Sequence, residues 1–168
     1  MRIELDSIGE QGRRLDVSLA LDWAATAAAA AVGVPVSSLS GALMFKAKRD
    51  VISVSGDLAL AAEHTCERCG SPTTLEVAES VLLTYRPENS DDDAEVELSA
   101  DDLDVGWYSE RRLDAASVLS EAIALSLPSR VTCADVAACD TRTAALLEKH
   151  GSSGSNDNPF SVLKGLTA

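Results

Sequence analysis

Two short cysteine pairs separated by a long insert constrain this chain more than any other feature. Cys66 and Cys69 stand in "EHTCERCGSPT", and Cys133 and Cys139 stand in "VTCADVAACD". If all four sulfurs meet, the polypeptide must fold back so that two distant turns face each other. A CxxC pair alone also suits a thioredoxin-like redox pair, or coincidence. Four cysteines in 168 residues are too few for a disulfide scaffold, and a reducing compartment leaves such thiols free or on a metal.

The residues around the first pair separate these readings. Leu39, Leu43 and Phe45 share one parity, the charged corner "KAKRD" follows, and Ile52, Val54, Leu58 and Leu60 then alternate around Gly56. This pattern predicts a hairpin with a basic tip. Gly56 predicts a bulge or a close backbone approach that curls the sheet. Beyond the turn residues "GSP", Leu75, Val77, Val81, Leu83 and Tyr85 alternate again. Cys66 and Cys69 therefore sit where one strand hands over to the next. A thioredoxin-like thiol needs a helix N-terminus to lower its pKa, and no helix follows here.

Cys66, Cys69, Cys133 and Cys139 fit a closed tetrahedral site with four thiolate ligands, for which zinc is the expected ion and a structural role the expected use. The CxxxxxC spacing of the second pair is wider than the two to four residues of typical knuckles. The bland alternative makes Cys133 and Cys139 small buried apolar residues. His64 and His150 are the other nearby donors.

Elsewhere, "MRIEL" reads as a short strand, and the alanine run before Gly33 and Pro35 as a helix over about 22–32. "RRLDAASVLSEAIALSLPSR" carries the strongest helix signals. Asp114 can cap, Leu113 and Val118 stand at staple positions, and Pro128 ends the run. A second helix is expected over about 141–149 after Asp140. The organisation that results is one α+β domain over 1–150, with helices packed on a curled, antiparallel, barrel-like sheet and a four-cysteine cluster. A flexible linker over 151–158 and a short C-terminal docking helix over 159–168 complete it.

Charge restricts the partners. Fourteen basic and 27 acidic residues give a net charge of -13, a field that repels polyanions, so RNA contact has to be local or made through a basic protein. Residues 88–104 hold nine acids and no base, which suits a solvated run or a docking face for a basic partner. No apolar stretch reaches a membrane span and the N-terminal residues lack a secretory block, so a cytoplasmic, membrane-free protein is expected. No phosphate loop, GxSxG elbow or HExxH pair occurs. A non-enzymatic role without a small-molecule substrate is expected.

The ordered set "VSGDLAL", "CERC", "LDAASVLSEAIALSLPSRVTC" and "NPFSVLKGL" resembles the YceD-like family of large ribosomal RNA subunit accumulation proteins, from about Val51 to the C-terminus. The resemblance implies a ribosome biogenesis factor whose partner is a large-subunit precursor, met through its rRNA or a basic ribosomal protein. Arg68, between the thiols, matches the family pattern. Its guanidinium suits a thiolate, a carboxylate such as Glu67 or Glu76, or an RNA phosphate. Lys46, Lys48 and Arg49 at the hairpin tip are the other candidate RNA contacts. A thiol oxidoreductase using Cys66 and Cys69, and an acidic chaperone acting through residues 88–104, are the rival readings.

Overall fold

Alternation of apolar and polar side chains sets the sheet. In the computed structural model, which describes residues 1–88 and 104–151, β1 (Arg2–Glu4) is followed by a 3₁₀ turn (Leu5–Ser7), β2 (Arg13–Ser18) and α1 (Asp22–Val32). The long strands β3 (Val36–Lys48), β4 (Val51–Thr65) and β5 (Pro72–Pro87) come next, then β6 (Val105–Tyr108), β7 (Arg112–Asp114), α2 (Ala115–Ser126) and α3 (Val136–Gly151). Five strands lie in the order β2-β3-β4-β5-β6, while β1 and β7 form a separate pair in which Ile3 faces Leu113.

The mixed α+β class agrees with the sequence; the shape of the sheet does not. The expected barrel-like curl is absent, because β2 and β6 are the two edges and do not pair among the described residues, so the sheet is open. Gly56, the residue expected to bend it, pairs in register with Leu43. A Cβ at Gly56 would stand 1.9 Å from the Ala42 carbonyl oxygen. This glycine thus serves the close approach of two strands and makes no bulge. The register shift falls instead between Val36 and Ser38. The sheet is also not wholly antiparallel: β6 runs parallel to β5, with Tyr85 opposite Gly106.

One face of the sheet collects Leu43, Phe45, Ile52, Val54, Leu58 and Leu60, all buried. In α1 the buried residues are Ala24, Ala27 and Ala28, a spacing that puts small side chains on one stripe. That stripe lets α2 approach closely, and the Ser120 hydroxyl donates to the Ala27 carbonyl at 3.0 Å. The cap expected for α2 forms, and both residues at the staple positions are buried. Leu113 and Val118 are buried, and Asp114 accepts from the Ala116 N–H. Burying Val118, Leu119 and Ile123 contributes roughly 1.5–3 kcal/mol apiece. Leu127 is extended, as the residue before Pro128 must be.

The chain divides into two compact units. One comprises Met1–His64 and Thr74–Arg130, and holds the helix pair and most of the sheet. The other comprises Thr65–Thr73 and Val131–Ala168, described as far as residue 151, and holds all four cysteines. Most of the acidic run, the linker expected beyond residue 151 and the docking helix expected over 159–168 lie outside the described residues. No helix among the described residues is long and apolar enough to cross a membrane.

Candidate metal centre

The first cysteine pair is held by a tight turn between β4 and β5. The Cys66 N–H donates to the Ser71 carbonyl at 2.8 Å, and the Gly70 N–H donates to the Cys66 carbonyl at 2.9 Å. Gly70 has φ +71, a left-handed conformation that glycine adopts without steric cost. Backbone N–H groups of Cys69 and Arg68 face the Cys66 sulfur, as expected where the chain wraps a thiolate.

The second pair is split between a loop and a helix. Cys133 precedes α3, whereas Cys139 lies inside it. The helix starts five residues earlier than Asp140 suggested, because Asp135 is the cap that forms: its carboxylate accepts from the Ala138 N–H at 3.0 Å. This early start explains the wide CxxxxxC spacing, since a capping residue and the first three helical residues fit between the sulfurs. The Glu67 N–H donates to the Val131 carbonyl at 2.9 Å, which joins the two segments by backbone alone.

All four sulfurs converge. The Sγ atoms of Cys66, Cys69, Cys133 and Cys139 lie within 4.8 Å of one another. The Cys66 and Cys139 sulfurs are 3.7 Å apart, those of Cys69 and Cys133 are 3.5 Å apart, and no disulfide joins them. Zinc–sulfur bonds of about 2.3 Å in a tetrahedron place sulfurs about 3.8 Å apart, so the cluster has the dimensions of a four-thiolate metal site. Cys66, Cys69 and Cys139 are buried and Cys133 is partly so. His64 and His150 are not members of this group.

The electrostatics divide the thiols. The Arg142 guanidinium, helped by Ser71, pulls Cys69 down to about 5. The Cys69 N–H likewise lowers Cys66, against the effect of burial. Burial pushes Cys139 up to about 12, and the neighbouring Cys66 thiol raises Cys133. Cys69 and Cys66 are thus shifted toward the thiolate, and Cys139 and Cys133 toward the thiol. A divalent ion would displace the remaining protons.

Sequence reasoning missed Arg142. Its Nη2 donates to Cys133 Sγ at 3.2 Å and its Nε to Cys69 Sγ at 3.5 Å. The signal was the three-residue interval from Cys139, which places both on one helix face once the start of α3 is known. Arg68 forms an ion pair with Asp140, a residue of α3, and not with Glu67 or Glu76. Lys46, Lys48 and Arg49 are exposed at the β3–β4 turn, in the other unit, so the four candidate RNA contacts do not form one patch within a unit.

A family model described as large ribosomal RNA subunit accumulation protein YceD matches residues 54–167, a span that contains all four cysteines. No curated protein and no solved structure matches the chain.

Proposed function

Since the chain belongs to the YceD family of large ribosomal RNA subunit accumulation proteins, we propose that it supports accumulation of that RNA by binding a large-subunit precursor without catalysing a reaction. The family match over residues 54–167 is the observation that carries this reading. The buried sulfurs support the non-catalytic part. A thiol oxidoreductase must present its nucleophile to a substrate, and Cys66 is only 1% exposed.

Within this reading Cys66, Cys69, Cys133 and Cys139 hold zinc in a structural site. Bound zinc supplies a tetrahedral cross-link between residues 65–73 and the start of α3, with no open position for water. Lys46, Lys48 and Arg49 supply the local positive charge for an RNA backbone in an otherwise acidic chain. Arg68 is a lesser contact, because Asp140 already offsets its charge.

Deleting the gene and fractionating ribosomal particles tests the proposal. The expected result is a deficit of large-subunit RNA that the intact gene restores, and co-sedimentation of the protein with large-subunit precursors. Normal particle profiles in the deletion strain overturn it. Association that follows a basic ribosomal protein in the absence of RNA assigns the contact to protein instead.

A further inference from the structure

We propose that Arg142 is a positioning residue of the metal centre, its forked guanidinium clamping the Cys69 and Cys133 thiolates and offsetting their charge; this rests on the zinc reading above. The geometry comes first. Two nitrogens of one planar group reach two different sulfurs, one from each cysteine pair, at 3.5 and 3.2 Å. Among the described residues these sulfurs are the only hydrogen-bond or ion-pair partners of Arg142. A fork of fixed shape loses less freedom on making two such bonds than a flexible ammonium would.

Charge gives the second argument. Four thiolates around a divalent ion leave excess negative charge, here in a chain whose net charge is already -13. Arg68 stands beside the same turn but is engaged by Asp140, so it neutralises a carboxylate and not the sulfurs. Among the described residues, Arg142 is the cation whose side chain donates to them. One of its two donors goes to Cys133, the least buried of the four. Outer groups that donate to metal ligands typically change affinity 10- to 100-fold.

The test uses the full chain loaded with zinc or cobalt at one fixed pH, with Arg142→Ala and Arg142→Lys beside the unaltered protein. Arg142→Ala is expected to bind zinc roughly 10–100-fold more weakly against a chromophoric chelator. Its cobalt form should show the sulfur-to-metal absorption band at longer wavelength, because the thiolates lose two donors, an effect that a general loss of stability does not produce. Arg142→Lys, which retains the charge but not the fork, should fall between the two and serves if the alanine variant does not fold. Affinity and band position unchanged in both variants overturn the clamp while leaving the zinc site intact. Unaltered protein that takes up neither ion, with four titratable thiols, overturns the zinc reading and the clamp together.

Discussion

The Glu67 N–H donates to the Val131 carbonyl at 2.9 Å, and this one backbone bond brings the CxxC turn alongside the segment that leads to Cys133. The bond and an ion held by the four sulfurs would tie together the same two segments.

Zinc removal should be costly. With free zinc at a thousandfold excess over its dissociation constant, the ion adds about 4 kcal/mol to stability. Chelator-treated protein should melt at a lower temperature, and Cys66→Ser or Cys139→Ser should lower both zinc stoichiometry and melting temperature. Elemental analysis beside thermal denaturation checks both. A melting curve indifferent to chelator would count against a structural ion.

Asp135→Ala should weaken α3 at its first turn by about 1 kcal/mol, the usual worth of such a cap. Because Cys139 lies in that turn, zinc affinity should fall with helicity. Circular dichroism and a chelator competition on the same sample measure the two together. Asn at position 135 can still cap and should restore most of both.

Tyr85 offers a pH test. Its hydroxyl donates to Glu121 Oε2 at 2.6 Å, and burial, followed by that carboxylate, raises the phenol well above its ordinary value. A group whose folded pKa is raised contributes stability that is complete below the unfolded pKa, about 10, and declines as pH rises beyond it. The unfolded phenol ionises in that window while the folded one retains its proton. Tyr85→Phe should cost about 1–2 kcal/mol near neutrality and flatten the alkaline decline, as read from denaturant midpoints at pH 8 and above 10.

Replacing Lys46, Lys48 and Arg49 together by Ala should leave the melting temperature nearly unchanged, since all three are exposed. Binding to large-subunit RNA should weaken, and the slope of log affinity against log salt should shrink by about 2 if all three meet phosphates of a single strand. Filter binding over a salt series gives the slope. An unaltered slope would move the contact elsewhere.

Gly56→Ala should destabilise by about 3 kcal/mol, because the added carbon meets the Ala42 carbonyl and a paired strand cannot yield locally. Gly9→Ala is the matched control, since nothing lies within 4 Å of its would-be Cβ. Chemical denaturation of both variants reads the difference.

Local signals carried most of what was legible in the sequence. Asp114, Leu113, Val118 and Pro128 fix α2 within a few neighbours of each other, and the long hairpin announces itself by alternation. The meeting of four sulfurs was legible through chemistry, since soft ligands in pairs suggest a common ion. Features that depend on distant pairing were not. The strand β2 lies in a run that merges into the alanine helix, and β1 finds β7 across most of the chain, with Ile3 opposite Leu113. The parallel placement of β6 leaves no periodic trace in four residues. Gly56 fitted two backbone explanations, and only the register with Leu43 chose between them. Arg142 stayed hidden because Asp140 looked like the cap and Asp135 was the one that formed.

Cys139 is carried by a helix, so its direction depends on phase as well as on reach. One residue added or removed between Asp135 and Cys139 would swing the sulfur by about 100° around the axis and carry Arg142 with it. Five residues between Cys133 and Cys139 are thus a fixed gear ratio, and a chain of this design can change that count only by moving the point where its last described helix begins.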